Sequence, residues 1–130
     1  MFLSKLLHVA RRTYSEAREK HKELTRSPKW RQAREKHLDD NPYCAACGSH
    51  KRAQVHHVRP FHLHPELELD PSNFITLCMD VNECHLRIGH GDSFQAYNPN
   101  VREDAEKFKN ASAVVRGTIV EAAKASRNIE

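Results

Sequence analysis

The chain has 130 residues, 38% of them hydrophobic and 29% charged, with a net charge of +4. That length supports one modest core, and the balance of apolar and charged residues fits a water-soluble protein without repeats or low-complexity tracts. No apolar run approaches a membrane span, and Lys5 and His8 interrupt the apolar start too early for a secretion signal, so a cytosolic chain with reduced cysteines is expected.

From Phe2 to about Leu24 the residues Phe2, Leu6, Val9, Thr13 and Ala17 recur at helical spacing, which predicts an amphipathic helix. Residues 1–38 carry eleven Lys or Arg against four Glu, and the remainder is slightly acidic. Such asymmetry points to a polyanionic partner met by the N-terminal segment, while a solvated helix face explains a charge run equally well. Ser27-Pro28 predicts an N-cap followed by proline at the first helical position, opening a second helix through Trp30, Ala33, His37 and Leu38. Asp39-Asp40-Asn41-Pro42 ends it. His8, His21 and His37 lie on these helices among charged residues and read as solvated or packed rather than as ligands.

Cys44-Ala45-Ala46-Cys47-Gly48 has the spacing of a metal knuckle, in which two thiolates reach one ion and the glycine permits the turn. Cys78 and Cys84 would complete a four-thiolate site, although their five-residue gap exceeds the usual two to four; buried free cysteines are the other reading. Gln54 to Val58 and Phe74 to Leu77 are short and β-rich, joined by a loop with three prolines and the turn signal Asp70-Pro71-Ser72-Asn73. Glu66, Glu68, His62 and His64 in that loop are expected to face solvent. A short helix is expected near Cys84. Asn98-Pro99 then predicts the cap of one long helix with an apolar stripe of Val101, Ala105, Phe108, Ser112, Val115, Ile119 and Ala122, a core or partner surface.

Seven of the ten histidines lie between His50 and His90, and His56-His57 stand together in the first predicted strand. Successive strand residues point to opposite faces, so the two imidazoles meet different surroundings, and one can ligate a metal while the other takes a proton.

Taken together, Cys44-x-x-Cys47, Val55-His56-His57, Asn73, Leu77-Cys78 and Cys84-His85 resemble the HNH endonuclease family, over roughly residues 30–98. The resemblance implies a small ββα-metal finger with a zinc knuckle; with the N-terminal and C-terminal α-helices predicted from periodicity on either side, the expected fold is α+β. With those helices, the chain divides into a basic helical arm at 1–38, the nuclease core at 39–98 and a C-terminal amphipathic helix at 99–130, within a single compact domain. The resemblance implies a structural Zn2+ on Cys44, Cys47, Cys78 and Cys84. It also implies a catalytic divalent ion such as Mg2+ or Mn2+ on His56 and His85, with His57 as the general base. Asn73 would stand in the second strand and orient His57 or approach the ion. Relatives often place a further histidine one helical turn after His85. Here that position is Gly89 and the histidine is His90, a candidate further ligand of the ion that, five residues on, would turn partly off the face of His85 on a regular helix.

The implied activity is hydrolysis or nicking of duplex DNA in the cytoplasm of a bacterial or phage-infected cell. The alternative is a zinc-stabilised nucleic-acid-binding module without catalysis. Phosphate contacts are expected from Arg87 and from Arg11, Arg12, Arg18, Lys29, Arg31 and Arg34. The terminal helices could also pair two copies of the chain as a homodimer.

Overall fold

A computed structural model describes residues 25–130. The predicted first helix, with Arg11, Arg12 and Arg18, lies outside these described residues. Helix α1 spans Trp30–Asp40. It begins two residues later than the Ser27-Pro28 signal predicts, because those residues form a turn in which Ser27 accepts the Lys29 and Trp30 amides. The helix has no fully buried residue and is laid on the sheet through Trp30 and His37, whose rings lie 5.5 Å from that of Phe74.

The two central strands, β1 (Ala53–His57) and β2 (Phe74–Cys78), pair antiparallel, with His56 opposite Ile75 and His57 opposite Phe74. Every residue of β2 is buried, Thr76 with its hydroxyl donated to the Asn41 carbonyl, so the strand is covered on both faces rather than alternating in and out. Asn73 stands just before β2, in a 3₁₀ turn over Pro71–Asn73, not within the strand as expected. Proline at the head of the turn and the Asp70 carboxylate accepting the Ser72 amide build that turn locally.

After Cys84 the chain forms a π-helical turn, His85–Gly89. A two-stranded ribbon follows, in which β3 (Ala96–Tyr97) pairs antiparallel with β4 (Asn128–Ile129). Between them run two helices, α2 (Val101–Lys109) and α3 (Ala113–Ser126), where the periodicity predicts one. Ser112 is not a stripe residue but the N-cap of α3, its hydroxyl accepting the Val115 amide. The Arg116 guanidinium donates to the Phe108 carbonyl at the end of α2 and stacks on the Phe108 ring, which fixes the corner. Past the break the buried face is Ile119, Val120 and Ala123, whereas Val115 and Ala122 are exposed.

The core joins Ile75, Leu77, Ile88, Val101, Ala105, Phe108, Ile119 and Val120 to Cys44, Cys78 and Cys84. The ββα unit and the cysteine cluster therefore share one core with the C-terminal helices. The fold is α+β, as expected. Among the described residues no helix is long and apolar enough to cross a membrane.

Candidate metal centre and active site

The four cysteines converge. Gly48, with φ of 79°, turns the chain after Cys47, and its amide returns to the Cys44 carbonyl. The long gap between Cys78 and Cys84 is closed by a turn in which the Glu83 amide bonds the Asp80 carbonyl, with Glu83 itself left-handed at φ 46°. Ser49 ties that loop to the knuckle through Asp80 at 2.9 Å. All four sulfurs lie within 4.8 Å of one another, and Cys47 and Cys78 are 3.5 Å apart. A tetrahedral zinc with bonds of about 2.3 Å spaces its sulfurs by about 3.8 Å, so the cluster has the dimensions of such a site. Hydrogen bonding from Cys84 holds the Cys44 thiol down to about 4, and the same contact, with burial, pushes Cys84 up. Four sulfurs this close cannot all ionise without a cation among them.

The second cluster is His56, His85 and His90. The ring of His90 reaches that of His85 at 3.2 Å between their Nε2 atoms. The expected drift of a five-residue step off the helix face does not occur, because the helix is wound in π form there. The His90 amide bonds the carbonyls of His85 and Leu86, so a step of five completes the turn. Gly89 makes room for the third ring. A Cβ at that position would lie 3.2 Å from His56 Cε1 and Nδ1 and 3.1 Å from Leu77 Cδ1.

Hydrogen bonds around the triad set its tautomers. His85 Nδ1 donates to Gln54 Oε1 at 2.7 Å and His90 Nδ1 donates to the Ala96 carbonyl at 2.7 Å, so each presents a bare Nε2 to the other. His56 Nε2 is buried with no hydrogen-bond partner. Two acceptor nitrogens thus face each other without a proton between them, beside the unpartnered ring of His56. Two imidazoles each bound at about 2.1 Å to one ion stand about 3.0 to 3.4 Å apart, so a divalent cation fits. Burial pushes His56 far below its ordinary range, and the charges of His85, His90 and His57 add to this. Burial likewise lowers His85 to about 4 and lowers His90 against the opposing pull of the Ala96 carbonyl. Neutral imidazole is the form that ligates.

His57 points away from the triad's packing yet lines the same cavity of about 220 Å3, with Arg26, Phe61, His62, Phe94 and Glu130 also in its wall. Its ring lies 4.6 Å from that of Trp30 and 5.3 Å from that of Phe74. Its Nε2 meets the Glu68 carbonyl at 2.9 Å. A carbonyl only accepts, so Nε2 carries the hydrogen and Nδ1 the lone pair. Burial lowers the pKa of His57, with the Glu68 carbonyl pulling the other way.

Asn73 bonds the Arg59 amide and carbonyl at 2.8 and 3.0 Å, and its own carbonyl takes the Val58 amide. It braces the chain just after His57 and is absent from the cavity wall. Arg87 is exposed and also absent from that wall, and Lys29, Arg31 and Arg34 are exposed on or beside α1. Glu68 is not solvent-facing as expected: it is 4% exposed and accepts the Ser27 amide. No sequence motif singles out Gln54, although its position two residues before His56 puts both on one strand face. A larger hollow of about 440 Å3 beside His37 and Arg102 contains none of the site histidines.

Residues 44–91 match the family model described as HNH endonuclease. No curated protein and no solved structure matches the chain. The matched segment contains the four-cysteine cluster, both strands, Asn73, His57 and all three histidines of the triad but His90's hydrogen-bond partner Ala96 lies beyond it. Residues 44–91 are thus similar to the HNH endonuclease family, and they carry its ββα arrangement of two antiparallel strands and a helical turn together with the four-cysteine cluster.

Proposed function

We propose that the protein is a metal-dependent endonuclease that hydrolyses phosphodiester bonds of duplex DNA, with a structural zinc on the four cysteines and one catalytic divalent ion on His56, His85 and His90. The observation that carries this reading is the convergence of two bare imidazole nitrogens and the unpartnered His56 ring beside a fourth histidine whose Nδ1 keeps its lone pair, all on one cavity. A divalent ion in the triad supplies Lewis-acid stabilisation of charge on the phosphate and leaving oxygens.

His57 takes the proton of the attacking water at Nδ1. Its Nε2–H stays bonded to the Glu68 carbonyl, which holds the ring and favours the cationic form that proton uptake creates. Asn73 is a positioning residue that fixes the backbone beyond His57 through Arg59. Gln54 and the Ala96 carbonyl keep His85 and His90 in the ligating tautomer. The cysteine cluster pins β2 to the start of the π turn, so that His85 and His90 face His56. The basic residues Arg11, Arg12, Arg18, Lys29, Arg31, Arg34 and Arg87 contact DNA phosphates without reading sequence.

A plasmid-nicking assay with and without Mg2+ or Mn2+ tests the reading. Metal-dependent nicks that disappear in His57→Ala support it. Tight duplex binding with no cleavage under any divalent ion would instead identify a zinc-stabilised binding module.

A further inference from the structure

Among the described residues, one guanidinium lines the histidine cavity, and it comes from outside the matched segment. Arg26 shares that wall with His56, His57, His85 and His90. Its guanidinium carbon lies 4.3 Å from the ring centroid of Phe61 and 5.0 Å from that of Trp30, so two aromatic faces hold the planar group. Its anionic neighbour is Glu68, with Arg26 Nη1 4.0 Å from Oε2. That is well beyond the roughly 2.7–2.9 Å of a charge-assisted hydrogen bond. The other carboxylate oxygen of Glu68 takes the Ser27 amide at 2.8 Å. Glu68 thus anchors the backbone that carries Arg26 more firmly than it satisfies the guanidinium. The side chain of Arg26 keeps 47% of its surface exposed. A guanidinium cannot shed its charge to escape partial burial. An anion arriving in the cavity would find a preorganised, undersatisfied cation there.

We infer that Arg26 is a phosphate ligand of the cavity, its guanidinium forking onto two oxygens of a phosphodiester while stacked between Phe61 and Trp30. The choice of a phosphodiester rests on the nuclease reading. Arg87, exposed and absent from the cavity wall, does not occupy this place.

Trp30 is the only tryptophan in the chain and touches the guanidinium, so its fluorescence reports on the site. Inorganic phosphate added to the zinc-loaded full chain, without Mg2+ or Mn2+, should change the Trp30 emission saturably, and Arg26→Ala should remove that response. With Mn2+, hydrolysis of bis(4-nitrophenyl) phosphate, a diester too small to span the helix charges, should fall on the order of 10- to 100-fold in kcat/KM in Arg26→Ala. The exposed Lys107→Ala should leave it unchanged. Arg26→Lys keeps the charge without the planar fork and should show an intermediate loss in both assays; it decides the matter if Arg26→Ala fails to fold. A phosphate response that survives Arg26→Ala, or an Arg26→Lys protein indistinguishable from wild type in both assays, overturns the assignment. A wild-type protein that binds phosphate through Arg26 yet cleaves neither the small diester nor plasmid DNA upholds the ligand assignment and removes the nuclease reading.

Discussion

Replacing Gly89 with alanine should damage the histidine triad more than it damages the fold. The added Cβ would stand 3.1 Å from Leu77 Cδ1 and 3.2 Å from two atoms of the His56 ring. Comfortable carbon contacts lie at about 3.5–4.0 Å, so each neighbour must retreat by several tenths of an ångström. Leu77 is 0% exposed and His56 2% exposed, and neither has open space to move into. Overpacking of this kind costs about 1–3 kcal/mol. The gain from replacing glycine in helical backbone offsets up to about 1 kcal/mol of that. The net loss, about 0–3 kcal/mol, corresponds to a fall in melting temperature of roughly 3–5 °C per kcal/mol for a domain of this size. Metal binding is less forgiving, since ligand distances are held to about 0.2 Å and a disturbed ligand shell weakens affinity by about 10- to 100-fold. Calorimetric titration of Mn2+ into zinc-loaded protein measures this directly. Gly117→Ala on α3 is the control: no atom beyond its chain neighbours and its own helix backbone lies within 4 Å of the added Cβ, so it should stabilise the protein slightly and leave Mn2+ affinity alone. A Gly89→Ala protein that binds Mn2+ as tightly as wild type would show that His56 is not held against the π turn in the way described.

Elemental analysis should find one zinc per chain, lost together with much of the thermal stability in Cys84→Ser, and a folded protein with less than half an equivalent would refute the four-cysteine site. His57→Ala should abolish cleavage while preserving metal and DNA binding, whereas His85→Ala should lose the catalytic ion, as separate nicking and calorimetric assays would show. Burial lowers the His57 pKa from 6.5, so the neutral base persists to more acid pH, and the single-turnover rate should fall only below about pH 6.5; a midpoint above 7 would contradict the buried geometry. In metal-free protein His85 is lowered to about 4, so its contribution to stability is complete above about pH 6.5 and is lost as pH falls toward 4, which thermal melts across that window will detect. Removing residues 1–24, with Arg11, Arg12 and Arg18, should weaken binding to all duplexes alike and flatten the plot of log affinity against log salt by about 0.9 per lost phosphate contact. A truncation that keeps its salt slope but changes its mass in solution would favour a homodimer contact for that segment.

Local chemistry made much of this protein legible from its residues alone. The cysteine pair with Gly48, the alternation that separates His56 from His57, and the Asp70-Pro71 turn all act within a few residues, through backbone geometry that any context would preserve. The break between α2 and α3 was also written locally, since Asn110 and Ser112 are capping residues, but a regular apolar stripe masked it. What only the tertiary structure decided depends on contacts between distant segments. His90 joins His85 because the π turn is held from outside, the Asn98 amide reaching the Ile88 carbonyl and the Ala96 carbonyl taking the His90 ring. Glu68 is buried because the chain at Ser27 folds back over it across 41 residues, and the same return brings Arg26 into a cavity built by β1 and the π turn. No periodicity encodes such meetings, because they follow from packing of the shared core rather than from the preference of any one segment.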